Sequence, residues 1–298
     1  MGKKVRARRE LSLRARTFGR EVGARERTRS QVPTGSTAEM LGFSCDGARG
    51  ERSWCFGTES PGCREGGASV EEREDHLFEQ FRVERGCLGY IVASARRAAI
   101  IDPELEMVEP MLDFVFEHGL KPSYIVDTHT HADHISGARE LKGKTTAKII
   151  MHKEAPASCV DIRVEDGDRL GVGDLSIKFL HTPGHAKDLV SVLLPDRILT
   201  ADALLIGSCG RTDLPNGNAV RQYHTLYYTY RSLPGDLLVY PGHDYNDLER
   251  STLEEERNTN PKMHFDTEEE FVRYMDRENP DTLTPVYQLG DALRANMA

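Results

Sequence analysis

The stretch "THTHADHISG" (Thr128–Gly137) concentrates histidines in a chain that has 11 of them among 298 residues. His129, His131 and His134 are spaced i, i+2 and i+5, and Asp133 lies between them. This spacing does not place them on one face of a helix. The preceding "YIVDTH" is typical of a buried strand, and a loop after a strand can turn such side chains toward one point. The stretch therefore predicts either a ligand cluster or separately hydrogen-bonded polar residues.

Three further stretches end in the same kinds of residue. "HTPGH" supplies His185, "LTADALL" supplies Asp202 and "YPGHD" supplies His243, each at or after a predicted strand. Imidazole and carboxylate groups are common protein ligands of zinc and iron. Four strand ends that each present such groups are hard to obtain by chance, so the sequence predicts a metal site.

Composition restricts the classes of function. Hydrophobic residues make up 38% of the chain and charged residues 29%, and no apolar run approaches the ~18 residues of a membrane helix. Residues 1–69 carry 14 Lys/Arg against 8 Asp/Glu, which leaves 25 against 40 in the remainder. The acidic body argues against nucleic-acid binding, because neutralising phosphates needs a basic face. The 6 cysteines include no CxxC pair and predict reduced intracellular thiols.

An Arg-rich segment with little hydrophobic periodicity precedes the first predicted strand. We expect residues 1–73 to be a basic leader, either disordered or absent from the native protein. One interpretation is a mitochondrial transit peptide, and another is translated upstream sequence with the true start at Val70. The protein would be mitochondrial in the first case and, if bacterial, cytoplasmic in the second.

Residues 74–298 alternate between strand and helix patterns and predict one α/β domain. "LGYIVAS" and "AAIID" read as a hairpin, and a helix after them is expected to end at Gly119. The predicted apolar face of that helix consists of Met107, Met111, Leu112, Val115 and Phe116. "NAVRQYHTLYYTYRSL" predicts another helix. The acidic runs Glu254–Glu256 and Glu268–Glu270 are interpreted as solvated helix faces.

The order HxHxDH, then GH, then an aspartate in a strand, then PGH resembles the metallo-β-lactamase superfamily over about residues 76–298. The resemblance implies an αββα sandwich with metals held at one edge between the two sheets. It also implies ligand sets for a dinuclear site, namely His129, His131 and His185 for one ion, Asp133, His134 and His243 for the other, and Asp202 as the bridge.

Two branches of this superfamily fit the sequence, and they differ in reaction. Hydroxyacylglutathione hydrolases (glyoxalase II) use two zinc or mixed metal ions to hydrolyse a glutathione thioester. Persulfide dioxygenases hold one Fe(II) per chain and oxidise glutathione persulfide with O2 to sulfite and glutathione, in sulfide oxidation. "ADALLIGSCGRTDLPNG", "LPGDLLVYPGHDY", "STLEEERNTNPK" and "RANM" resemble dioxygenase segments. Only 55 residues follow His243, where the hydrolases usually carry a longer helical domain. The dioxygenase is therefore favoured, with the hydrolase as the alternative.

The dioxygenase resemblance assigns the iron to His129, His185 and Asp202, a two-histidine, one-carboxylate facial triad with open positions. Its implied partners, either hydrogen-bonding groups that orient the ligands or ligands of a second metal, are His131, Asp133, His134 and His243. Candidate substrate contacts are Tyr240 and Arg211, the latter through a glutathione carboxylate, with an Arg211–Asp213 ion pair as the structural alternative. The branch also implies a possible homodimer, and we expect no nucleic-acid or membrane partner.

Three positions depart from the dioxygenase pattern. Ala201 stands where a glycine usually precedes the metal aspartate, Gly207 stands where arginine is common, and Ala186 stands where a hydroxyl residue usually follows His185. These changes leave the triad intact. They keep coenzyme A persulfide or another small persulfide open as the substrate.

Overall fold

The computed structural model describes residues 76–277 and 286–298, without the side chains of 286–290. The predictions for residues 1–73 therefore lie outside the described residues. Residues Ser69–Ala298 belong to one compact unit. In the described part of the chain, no helix has both the length and the apolar character needed to cross a membrane.

Two six-stranded sheets form the centre of the fold. In spatial order, the first sheet contains β1 (Leu77–Arg82), β2 (Leu88–Ser94), β3 (Arg97–Ile101), β4 (Lys121–Val126), β5 (Lys148–His152) and β6 (Ile162–Val164). The second contains β12 (Ser251–Thr252), β11 (Leu238–Pro241), β10 (Arg197–Ala201), β9 (Val190–Leu193), β8 (Leu175–His181) and β7 (Arg169–Val172). The predicted hairpin is the antiparallel pair β2–β3.

Six α-helices accompany the sheets in the described residues. They are α1 (Val108–Glu117), α2 (Ala138–Lys144), α3 (Ala219–His224), α4 (Leu253–Thr259), α5 (Glu268–Arg277) and α6 (Val286–Met297). Side chains of α1 and α2 share a buried cluster with strands of the first sheet, and side chains of α3, α4 and α5 share one with the second. A third cluster joins the two sheets, with Tyr90, Ile101 and Val126 meeting Phe179 and Val192. The predicted αββα layers are thus observed.

The topology brings several strand ends to one edge of the sandwich. β3, β4, β5 and β6 are parallel neighbours, and β10 is parallel to β11. Each predicted ligand comes directly after β4, β8, β10 or β11. Loops at the carboxyl ends of parallel strands meet at one edge, which explains how four separate stretches of sequence build one site.

Three expectations about these elements were wrong. Phe116 is 86% exposed, because it lies five positions beyond Met111 and thus about 140° around the helix. The predicted helix over residues 218–233 is α-helical only to His224, and a π-helical turn and a 3-10 turn follow. Glu256 is not solvated, since only 1% of it is exposed. The sequence patterns also missed strands β1, β6, β7 and β12.

Candidate metal centre

His129, His185 and Asp202 form the centre of the site. Their candidate ligand atoms lie within 4.8 Å of one another, and all three residues are buried. The Nε2 atoms of His129 and His185 are 4.0 Å and 3.6 Å from Asp202 Oδ2. Among the described residues, His129 Nε2 is buried without a hydrogen-bond partner. Burying a nitrogen without a hydrogen-bond partner costs free energy. The position of His129 Nε2 beside the candidate ligand atoms of His185 and Asp202 therefore fits the binding of a metal ion.

Hydrogen bonds on the far side of each imidazole determine which nitrogen faces the centre. His185 Nδ1 is 2.8 Å from the Arg211 carbonyl, which can only accept, so Nδ1 carries the proton. Thr128 Oγ1 donates to Asp102 Oδ2 and therefore accepts from His129 Nδ1 at 3.0 Å. Both Nε2 atoms consequently present a lone pair toward Asp202, as metal-ligating histidines do.

The charges of these groups suit metal binding. Burial lowers the pKa of His129 well below its usual value, and the nearby His131 and His185 act in the same direction. Burial alone would raise the pKa of Asp202, but His243 and then His185 hold it below its usual range. A neutral imidazole and an ionised carboxylate are the forms that ligate metals.

Two glycines let the backbone approach the centre closely. A Cβ on Gly210 would collide with the Asp202 carbonyl and lie 2.9 Å from His185 Nδ1, and a Cβ on Gly242 would lie 2.5 Å from Asp202 Oδ1. A side chain at either position would displace a ligand. Ala201, directly before Asp202, has a left-handed φ of 49°. This conformation explains why glycine is usual at that position in the family pattern.

A second group of side chains lies beside the triad and consists of Cys87, Asp133, His134 and His243. His243 bridges two carboxylates, since its Nδ1 is 2.7 Å from Asp202 Oδ1 and its Nε2 is 2.8 Å from Asp133 Oδ2. Burial opposes protonation of His243, but Asp202 and Asp133 raise its pKa well above the usual value. In this arrangement both ring nitrogens can donate, so His243 links the two aspartates through its two hydrogen bonds.

Cys87 is the member of this group that the sequence patterns did not reveal. Its Sγ lies 3.8 Å from His134 Nδ1 and 3.9 Å from Asp133 Oδ2. Burial alone would raise the pKa of the Cys87 thiol, but His134 and His243 lower it to about 6. Cys87 lies directly before β2, far from the histidine stretch in sequence, and no local motif marks it.

His131 lies beside His129, with ring centroids 4.2 Å apart, but its Nε2 contacts the layer behind the triad. Its Nε2 lies 3.2 Å from Asp102 Oδ1, and its candidate ligand atom groups with Asp102 and Asp127. Asp102 also accepts from the Thr128 backbone N–H at 2.7 Å. His131 Nε2 is thus held by the layer behind the triad, whereas its Nδ1 and His134 Nε2 are buried without hydrogen-bond partners among the described residues, so the dinuclear ligand set stays an alternative.

A cavity of about 470 Å³ opens onto the centre. The residues that line it are Ala132, Asp133, His185, Asp202, Leu205, Ser208, Cys209, Gly210, Arg211, Leu214, His243, Tyr245 and Asn246. It has the size of a small-molecule pocket. Arg211 lies in its wall, with the guanidinium Nε and Nη2 paired to Asp213 at 2.6 Å and 2.7 Å. Both sequence interpretations of Arg211 are thus compatible with its position.

Tyr240 does not line this cavity, contrary to the expectation of a substrate contact. It is 5% exposed and packs between the sheets against Phe78 and Tyr90, with ring centroids 4.6 Å and 5.9 Å away. Tyr245, five residues later, does line the cavity. It is 67% exposed, and its ring stacks on His243 at 5.6 Å between centroids.

Residues 83–243 match the family model described as the metallo-beta-lactamase superfamily. Together with the two sheets and the buried histidine and aspartate cluster, this match shows that the chain belongs to the metallo-beta-lactamase superfamily. The predicted fold class is thereby confirmed.

The branch follows from individual relatives. The chain is 39% identical over 205 residues to persulfide dioxygenase ETHE1, mitochondrial, of Bos taurus, covering 68% of this chain and 79% of that protein. The crystal structure of ETHE1 from Myxococcus xanthus superimposes with a TM-score of 0.70 at 39% identity, covering 74% of this chain and 98% of that one. Identity to hydroxyacylglutathione hydrolase of Rhodopseudomonas palustris (strain BisB5) is 33% over 161 residues, 53% of this chain and 62% of that protein. Within the superfamily, the chain groups with the ETHE1 persulfide dioxygenases.

Proposed function

We propose that the protein is an Fe(II)-dependent persulfide dioxygenase that oxidises glutathione persulfide with O2 to sulfite and glutathione, in sulfide oxidation. The observation that carries the proposal is the triad of His129, His185 and Asp202, whose donors converge while His243 is held between Asp202 and Asp133. Two imidazoles and one carboxylate with open positions are the usual ligand set of non-heme Fe(II) oxygenases. The similarity to ETHE1 proteins supports the same reaction.

The reaction balances with one water. One glutathione persulfide, one O2 and one H2O give one glutathione, one sulfite and two protons. The S–S bond breaks, the outer sulfur loses four electrons to O2, and glutathione leaves as the thiol. When bound, the iron would supply adjacent positions at which the persulfide sulfur and O2 come together and exchange electrons.

The chain's own residues would orient the substrate and protect the site. We assign Arg211 to a carboxylate of the glutathione moiety, with Asp213 fixing the plane of the guanidinium. Tyr245 and Leu214 lie in the wall of the same cavity and would pack against the tripeptide. Because His185 and Asp202 are buried and line the cavity, the persulfide end of the substrate would face them.

The hydrolase remains the second candidate, because Asp133, His134 and His243 lie beside the triad and could take a second ion. A dinuclear site would generate a metal-bound nucleophile from water. It requires His243 to leave its hydrogen bond with Asp202 or Asp133 in order to offer a lone pair. The metal content and activity of protein loaded separately with iron and with zinc distinguish the two functions. One iron per chain with persulfide-dependent O2 uptake supports the dioxygenase. Two ions per chain with cleavage of S-lactoylglutathione support the hydrolase.

Assembly and compartment are also proposals. A homodimer is expected by resemblance, and sedimentation equilibrium of the full chain tests it. Relatives named as mitochondrial proteins favour a mitochondrial location if residues 1–73 are a transit peptide, whereas a bacterial protein would be cytoplasmic. The intact mass of protein from the native source shows whether the leader is present.

A further inference from the structure

The C-terminal helix α6 contacts the histidine loop through the side chain of Asn296. Its Nδ2 donates to the backbone carbonyls of His131 and His134 at 2.9 Å and 2.8 Å. Its Oδ1 accepts from the Ser136 backbone N–H at 3.0 Å. The two donors and the acceptor of the amide are therefore matched to three backbone groups on both sides of Asp133.

The contact continues into the residues beneath the loop. Ser136 Oγ lies 2.9 Å and 2.8 Å from the two carboxylate oxygens of Asp127, which is buried at the end of β4. The same hydroxyl accepts from the Ala138 backbone N–H at the start of α2. Asn296 thus completes a chain of hydrogen bonds that ties the loop to β4, α2 and α6.

We propose that Asn296 is a positioning residue for the metal centre, acting through the loop that carries His129, Asp133 and His134. The loop contains no helix or strand between Asp127 and Gly137, so external hydrogen bonds must fix its backbone. Fixing the backbone before the ion binds lowers the entropic cost of assembling the ligands. The inference rests on the metal centre of the proposed function but is independent of the reaction catalysed there.

The test compares Asn296→Asp with Arg294→Ala in the full chain. The aspartate keeps the size of the side chain and an acceptor for Ser136, but it places oxygen against the two carbonyls. Arg294 lies on the same helix, is exposed and pairs with Asp291, so its replacement controls for general effects on α6. Fe(II) affinity is measured anaerobically by competition with a ferrous-ion chelator, and the melting temperature of each metal-free protein is measured in parallel.

We expect Asn296→Asp to weaken Fe(II) binding by about 10-fold or more, as is typical for partners of metal ligands, and Arg294→Ala to leave it unchanged. Unchanged affinity in Asn296→Asp, with only a lower melting temperature, would show a merely structural role and overturn the proposal. If the variant does not fold, hydrogen exchange on the unaltered protein decides. Since coupling between sites is reciprocal, Fe(II) should slow exchange both in residues 131–137 and in the last turn of α6, and protection confined to the loop would contradict the proposal. If the unaltered protein binds Fe(II) but takes up no O2, the proposed function is wrong and the role of Asn296 is unaffected.

Discussion

His243 donates through Nδ1 to Asp202 Oδ1 at 2.7 Å, and this contact links the triad to the neighbouring group around Asp133. Because the same imidazole also reaches Asp133, it can orient Asp202 without binding the ion. We therefore expect two kinds of residue at the site: those that bind the metal ion, such as His185, and those that only orient its ligands, such as His243.

Replacing His243 and His185 by alanine should therefore give different results. His185→Ala removes a ligand, so the iron content should fall to a small fraction of one ion per chain. His243→Ala should keep the iron but lower kcat by roughly 10- to 100-fold, since ligand-orienting partners have effects of that size. Elemental analysis and O2 uptake on the same preparations give both quantities. Equal loss of metal in the two variants would instead make His243 a ligand.

Ala201→Gly should stabilise the protein. The left-handed φ of 49° costs a residue with a Cβ about 1–2 kcal/mol, whereas burial of the alanine methyl group contributes about 0.8 kcal/mol. The expected net gain in free energy of unfolding is up to about 1 kcal/mol. Ala203→Gly is the control, because Ala203 is also buried but does not have a positive φ, and it should lose stability. Urea unfolding of the metal-free proteins measures the free energy of unfolding of both variants. If Ala201→Gly loses as much stability as Ala203→Gly, the backbone at Ala201 is not strained.

Glu256 should hold in place the segment around Gly207 that lines part of the cavity. Its Oε2 accepts from the Gly207 N–H at 2.9 Å and from Asn260 Nδ2 at 2.8 Å, and the nearby Leu205 and Ser208 line the cavity. Glu256→Ala removes both hydrogen bonds, although Asn260 Nδ2 keeps those to the Leu205 and Ser208 carbonyls. The loss should cost about 1–3 kcal/mol for the two bonds and should raise KM for the persulfide.

Glu254 on the same helix provides the matched control, because its side chain is exposed. Glu254→Ala should change stability by less than about 0.5 kcal/mol and leave KM unaltered. If Glu256→Ala and Glu254→Ala give the same KM, the cavity wall around Leu205 and Ser208 does not depend on Glu256.

His152 should make stability depend on pH. Burial lowers its pKa below the usual 6.5, and the stacked ring of His181 acts in the same direction. An imidazole with a lowered folded-state pKa contributes stability that is complete above the unfolded pKa and is lost as pH falls through the folded pKa. His152→Phe should therefore reduce the loss of stability between pH about 6.5 and the mildly acidic range. Urea unfolding of the metal-free wild type and variant at several pH values tests this. If the free energy of unfolding depends on pH identically in the two proteins, His152 has no role in the pH dependence.

The sequence allowed good prediction of the site and poorer prediction of what surrounds it. His129, His185 and Asp202 could be found because each follows a strongly apolar strand and carries a recognisable local pattern. Cys87 could not, since it contacts the site from a distant part of the chain and has no pattern of its own. Asn296 lies in the "RANM" stretch that resembles the dioxygenases, but nothing in that stretch indicates a contact with the histidine loop. Tyr240 was expected to reach the substrate, yet it lies within β11, where it points into the sandwich; Tyr245 lies beyond the strand end.

The same limit applies to the fold. Strands β2, β3, β4, β8, β10 and β11 are apolar and were predicted, whereas β1 ("LFEQFR") is edge-like and carries charges that obscure its pattern. Phe116 and Glu256 were misassigned because composition does not show which face of a helix meets the core. Only tertiary packing decides this.

The central claim is tested most directly by combining metal analysis with an oxygen electrode. Protein loaded anaerobically with Fe(II) should contain one iron per chain and consume one O2 for each glutathione persulfide, with one sulfite formed, and His185→Ala should do neither. Two bound ions, no O2 uptake and cleavage of S-lactoylglutathione would contradict the dioxygenase and support the hydrolase.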